Sequence, residues 1–179
     1  MALSGQHFVA DALAAVAVGV KLGVDPAQIQ ERLSQFRNMA GRQEIYQKKG
    51  FTIIQDCYNA GPESMAAALA VLGAREGRKI AVLGDMLELG VCTQAEHYRV
   101  GRIAAEKADI VLAYGPNGSR VLSGAITGGM SDAAAMAFQD RTELVKVLKR
   151  MAKPGDVLLF KGSRGMRMEL ALEQFLAEE

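Results

Sequence analysis

The sequence predicts an α/β fold: a mainly parallel sheet with helices on both faces. Three observations lead there. From Glu44 onward, short aliphatic runs bounded by turn residues alternate with stretches of helical period. Each intervening stretch is long enough to cross back over a sheet, and such crossovers are right-handed almost without exception. Finally, 179 residues, half of them hydrophobic and free of low-complexity runs, suffice for one proper core. A Rossmann-like sheet of this kind binds ligands beyond the carboxyl ends of its strands.

The elements follow in order. Residues 7–22 are Ala, Val and Leu around most of a helical circumference, which predicts a helix buried on most sides. Next comes "GVDPAQIQERLSQF". Here Asp25 suits a helix cap, Pro26 the first helical position and Gln28 a capping-box spacing, with Ile29, Leu33 and Phe36 on one face. "NMAGRQEIY" breaks this pattern, so the domain boundary is expected near residues 41–44, dividing 1–43 from 44–179. "TIIQD" is a short strand and "PESMAAALAVLGA" a helix; "RKIAVLGDM" is a buried strand. "TQAEHYRVGRIAAEKA" is a helix in which Thr93 and Glu96 have capping-box spacing. "DIVLAYG" and "AAMAFQ" are the third and fourth strands, with a weaker helix over 118–128 between them. "DRTELVKVLKRMA" is a helix capped by Asp140, "DVLLFKG" the fifth strand and "GMRMELALEQFLAE" the closing helix.

Composition removes several classes of function. Twenty-one basic against twenty acidic residues give a net charge of +1, with no basic face for a nucleic acid. Cys57 and Cys92 lack the CxxC spacing of a zinc site and suggest no disulfide framework, which fits a reducing, cytoplasmic setting. The apolar amino-terminal stretch is interrupted by Asp11, closed by Lys21 and too short to span a bilayer. No G-x-G-x-x-G follows the first strand, and no G-x-x-x-x-G-K-[ST] occurs, so neither a dinucleotide dehydrogenase nor a self-sufficient P-loop enzyme is indicated.

The strand-end loops remain. In "DCYNAGP", Pro62 and Asn59 suit a turn leading into a helix, whereas Asp56, at the end of a buried strand, needs a partner or a ligand. Spacing alone leaves both possibilities open. "GDMLELG" places Asp85 and Glu88 between glycines, as a solvated loop or as a holder of an ammonium group or metal. "KGSRG" brings Lys161, Ser163 and Arg164 to a helix start, an arrangement suited to a phosphate or carboxylate; alone, Ser163 reads as a cap and Lys161 as a surface residue. "YGPNGS" reads as a simple turn, and His97 as a surface or packing residue of its helix.

Taken in order, "GQHFVADALAA", "GRQEI", "DCYNAGPESM", "VLGDMLELG", His97 and "KGSRGMRME" resemble the Mur ligases of peptidoglycan synthesis, from Gly5 to about Glu173. The resemblance implies a three-domain enzyme of which this chain holds the end. Residues 1–43 would be the last two helices of the central ATPase domain and 44–179 the carboxy-terminal domain. The P-loop, the catalytic centre and any metal ligands would then lie in the absent part, leaving no catalytic residue and no metal site here. The implied reaction uses ATP and Mg2+ to activate the carboxylate of UDP-N-acetylmuramoyl-tripeptide as an acyl phosphate, which the amine of D-alanyl-D-alanine attacks. On this resemblance Arg42, Asp56 and Asn59 lie on the ATP side, with His7 and Asp11. Asp85, Glu88, Lys161, Ser163 and Arg164 line the amino-substrate side. Where the family carries H-N-x-x-N, this chain has His7, Phe8, Val9, Ala10 and Asp11; an ionised Asp11 accepts a hydrogen bond but donates none. The fragment alone is expected to be inactive, and residues 1–40 are expected either to lie against the carboxy-terminal domain or to mediate self-association. A stand-alone module binding a small anionic or amino-acid ligand is the alternative.

Overall fold

The structure is a computed structural model; it describes residues 5–39 and 41–177, apart from the side chains of Gln6 and His7. It divides into two compact units, Met1–Met39 and Ala40–Glu179. The first comprises helices α1 (Gln6–Lys21) and α2 (Pro26–Gln35). As expected, Asp25 caps α2 by accepting the Ala27 N–H at 2.7 Å, and Pro26 opens the helix. The expectation that α1 is buried on most sides fails. Val9, Leu13, Val18 and Val20 are each more than half exposed. Two helices offer one another a single face, so the remaining apolar circumference of α1 has no cover within the unit. Between them lies an open apolar groove of about 490 Å³, lined by Val16, Val20, Ile29 and Leu33 among others.

The second unit is built from β1 (Glu44–Lys48), β2 (Phe51–Asp56), α3 (Pro62–Gly73), β3 (Lys79–Gly84), α4 (Thr93–Lys107), β4 (Ile110–Tyr114), α5 (Gly118–Thr127), β5 (Ala135–Phe138), α6 (Arg141–Met151), β6 (Val157–Lys161) and α7 (Met168–Leu176). These strands form one sheet in the order β1-β2-β6-β3-β4-β5. All neighbours are parallel except β1, which pairs antiparallel with β2. This edge strand was not expected from the sequence. It joins β2 through Lys49 and Gly50, both at positive φ (51° and 80°), the geometry of a two-residue hairpin that follows strand twist.

Alternation along the strands sends side chains to two cores. Ile54, Ala81, Leu83, Val111 and Leu159 meet α3, α4 and α5 on one face. Ile53, Ile80, Val82, Leu112 and Phe160 meet α6 and α7 on the other. Asp140 caps α6 as expected, accepting the Glu143 N–H at 2.9 Å. Thr93 does not cap α4. A 3-10 turn over Gly90–Cys92 already feeds the helix, so Thr93 has helical dihedrals and its hydroxyl donates back to the Gly90 carbonyl at 2.7 Å. Glu96 instead accepts from Arg99.

The topology also locates the crevice. The chain steps from β3 outward to β4 and β5, then returns through α6 to place β6 between β2 and β3. Loops after β2, β3 and β4 therefore lead to one face, and the loop after β6 leads to the other. The carboxyl end of β6 is where they diverge, the position at which open α/β sheets bind ligands.

Candidate functional site

Two groups of residues meet at that divergence. The first is centred on Asp56 and Lys161, which lie side by side in register as the last residues of β2 and β6. Lys161 Nζ donates to Asp56 Oδ2 at 2.6 Å and to the Asn59 carbonyl at 3.0 Å. The lysine side chain is only 2% exposed and the aspartate 16%. Lys161 is thus a buried clasp across two strand ends, and its surface alternative is excluded. The other Asp56 oxygen accepts the Gln43 N–H at 3.2 Å, which folds residues 41–43 onto the end of β2. Gly41 completes this contact, its carbonyl accepting the Tyr58 N–H and its N–H donating to Glu44. Arg42 then lies over the Tyr58 ring, 4.1 Å from its centroid, with both residues exposed to solvent. Asn59 is exposed beside them.

Cys57, between Asp56 and Tyr58, is buried and directs its thiol at the Phe160 carbonyl. Burial first, and then the negative charges of Glu169 and Asp56, push its pKa up to about 12, so the thiol stays protonated and inert.

The second group joins the loops after β3, β4 and β6. Asp85 is 1% exposed. Its Oδ2 accepts from Asn117 Nδ2 at 2.8 Å, and the Asn117 backbone N–H reaches both carboxylate oxygens at 3.1 and 3.2 Å. The Asp85 carbonyl accepts the Ser163 N–H at 2.9 Å. Ser163 is buried as well; its hydroxyl accepts the Leu87 N–H at 2.9 Å and donates to the Ala60 carbonyl at 3.2 Å. It therefore ties loops together rather than acting as a side-chain cap. Glu88 and Arg164 are the exposed members of these loops. Glu88 is held at φ 64°, and the Arg164 guanidinium rests 3.3 Å from Glu169.

His97 is neither on the surface nor simple packing. It is 1% exposed, and its Nε2 accepts the Met86 N–H at 2.9 Å while Nδ1 faces the Thr93 carbonyl at 2.6 Å. That pair of contacts fits the Nδ1–H tautomer, a neutral ring that pins the start of the Asp85–Gly90 loop to α4.

The sheet thus assembles Asp56, Asn59, Lys161 and the Arg42 segment into one cluster and Asp85 and Ser163 into another, with Glu88 and Arg164 in the loops of the second. The backbone step from Lys161 to Ser163 and the Ser163–Ala60 hydrogen bond join the two. Asp11 lies exposed in the Met1–Met39 unit, and the His7 side chain falls outside the described residues. Sequence inspection missed Gln43 and Asn117 as members of these clusters, read His97 as surface or packing, and gave the Tyr58 phenol no binding role. For Asn117 a signal existed, because "GPNG" stands at the carboxyl end of β4, where the strand-end rule directs attention. Among the described residues, no three His, Cys, Asp or Glu side chains converge to hold a metal ion.

A doubly wound sheet with polar strand-end loops defines a class of ligand-binding α/β domain, and comparison with known proteins makes it specific. Residues 41–164 match the family model described as "Mur ligase, glutamate ligase domain", and the chain belongs to this family. It is 37% identical over 169 residues to the UDP-N-acetylmuramoyl-tripeptide–D-alanyl-D-alanine ligase of Bacillus subtilis, a match covering 92% of this chain and 37% of the relative. It is 35% identical to the ligase of the same name from Treponema pallidum, covering 99% of this chain and 38% of the relative. Among solved structures, MurF from Acinetobacter baumannii superimposes with a TM-score of 0.88 at 34% identity, over 98% of this chain and 38% of that one. MurF ligase from Thermotoga maritima in complex with ADP gives 0.75 at 32% identity, over 91% of this chain and 36% of that one. The chain therefore spans less than two fifths of the length of the curated relatives it matches.

Proposed function

We propose that this chain is the carboxy-terminal portion of an ATP-dependent ligase that adds D-alanyl-D-alanine to UDP-N-acetylmuramoyl-tripeptide in peptidoglycan synthesis. One observation carries the proposal: likeness to ligases of that name extends over 92% to 99% of the chain, strand-end loops included. In this reading, α1 and α2 are the end of the ATP-binding domain and residues 44–179 the carboxy-terminal domain. The chain alone does not ligate, and the working enzyme is cytoplasmic. No helix among the described residues is long and apolar enough to cross a membrane.

The exposed groups divide into two subsites. Arg42, stacked on Tyr58, and the neighbouring Asn59 present a cation, a ring and an amide suited to a nucleotide, with Asp56 anchoring them from beneath. ATP, when bound, supplies the phosphoryl group that activates the tripeptide carboxylate. With no cluster of metal-binding side chains among the described residues, Mg2+ would be held by the phosphates and the remainder of the enzyme. Glu88 and Arg164 offer one negative and one positive group, matched to the ammonium and carboxylate of a zwitterionic dipeptide. Asp85, Lys161 and Ser163 are buried and hydrogen-bonded, which supports a role in shaping these loops rather than touching the dipeptide.

The test is a titration of the chain with D-alanyl-D-alanine, followed by backbone amide chemical shifts. Shifts confined to residues 85–90 and 162–166, and weakened by Arg164→Ala, are expected. Equal shifts with L-alanine or D-glutamate would overturn the assignment.

A further inference from the structure

We infer that Asn117 is a positioning residue of the site, acting through Asp85, and that the loops after β3, β4 and β6 move as one hydrogen-bonded unit. Asp85 is held at both ends. Its carboxylate lies against the amide and backbone N–H of Asn117 in the loop after β4, and its carbonyl receives the N–H of Ser163 in the loop after β6. The Ser163 hydroxyl returns to Leu87, next to Glu88, while His97 fixes Met86 from α4. Gly115 makes this closeness possible. At φ 120° it has no side chain, and a Cβ there would sit 2.8 Å from Asp85 Oδ1. His97 Nε2 lies 3.8 Å from the same oxygen but is already occupied by the Met86 N–H. Among the described residues the carboxylate takes its hydrogen bonds from Asn117, and a buried charged group that loses its donor forfeits more than a neutral one.

Removing the Asn117 amide therefore loosens Asp85, and with it Ser163 and the adjacent Arg164. Only the ligand arm of the following test rests on the function proposed above. Amide hydrogen exchange on the intact chain reads the network directly. In Asn117→Ala, exchange at Leu87 and Ser163 should accelerate about tenfold, while Ile53 and Ile54 in β2 keep wild-type rates. The response of Arg164 to D-alanyl-D-alanine should weaken several-fold. The double variant Asn117→Ala, Asp85→Asn should be no worse than Asp85→Asn alone, since the two act on one another. If Asn117→Ala does not fold, Asp85→Asn carries the same exchange measurement. Unchanged exchange at Leu87 and Ser163, or equal acceleration at Ile53 and Ile54, would overturn the inference. A wild-type chain that ignores the dipeptide would contradict the proposed function, with the exchange result still deciding the network.

Discussion

Replacing Gly101 in α4 by alanine should destabilise the second unit, although alanine is the better helix former. The two effects can be weighed from the structure. Helices α4 and α5 meet glycine to glycine. A Cβ at Gly101 would lie 2.0 Å from the Val121 carbonyl oxygen, and one at Gly124 would lie 2.0 Å from that of Tyr98. Carbon and oxygen tolerate roughly 3.3 Å even in close C–H···O contacts, so the helices must part by more than about 1 Å. The obstacle is backbone within a neighbouring helix and cannot change rotamer. Overpacking of this kind costs about 1–3 kcal/mol, occasionally more, and the gap also weakens dispersion along the shared face. Helix propensity returns only about 1 kcal/mol. A 2.0 Å approach to backbone puts the clash at the upper end of the overpacking range, so the expected net loss is about 2 kcal/mol for Gly101→Ala, and a similar loss for Gly124→Ala. Gly73→Ala in α3 is the control. There the nearest atoms belong to the flexible Lys107 side chain, at 3.0 and 3.3 Å, so the change should be neutral or stabilising by up to about 1 kcal/mol. Urea unfolding followed by far-UV circular dichroism measures all three. A Gly101→Ala midpoint at or above wild type, or equal to that of Gly73→Ala, would refute the reasoning.

The Lys161–Asp56 pair and the exposed face of α1 yield two further expectations. Lys161→Met leaves Asp56 without its buried cation and should cost about 3 kcal/mol, whereas the double variant with Asp56→Asn should regain most of that loss; strictly additive single effects in a denaturation cycle would contradict the clasp. Exposure of Val9, Leu13, Val18 and Val20 should make the chain self-associate, with a light-scattering mass that rises with concentration and falls when Leu13 and Val18 are both changed to lysine; a mass independent of concentration would contradict this.

What the sequence disclosed follows from how local each signal is. The aliphatic runs of β3, β4 and β6 are short and bounded by glycine, and the Asp25 and Asp140 caps act within three residues, so each was legible. The β1–β2 hairpin was not, because its turn places Lys49 rather than asparagine or aspartate at positive φ. Nothing local places β6 between β2 and β3. That insertion pairs Lys161 with Asp56, 105 positions away, and it turns an apparently exposed lysine into a buried clasp. Asn117 was read as part of a simple turn and His97 as surface or packing for the same reason: each is ordinary in its own segment and acquires meaning from a loop that another strand brings beside it. The exposed candidates Arg42, Asn59, Glu88 and Arg164 came from resemblance and spacing. The structure added the aromatic partner of Arg42 and the buried network beneath the other loops.

The most direct measurement is ligation by a chimera in which this chain replaces the matching carboxy-terminal segment of the Bacillus subtilis ligase. ADP release should then require both UDP-N-acetylmuramoyl-tripeptide and D-alanyl-D-alanine, and Arg164→Ala should raise the KM for the dipeptide. A folded chimera that releases ADP with a different amino substrate, or that remains inactive with D-alanyl-D-alanine, would contradict the proposed function.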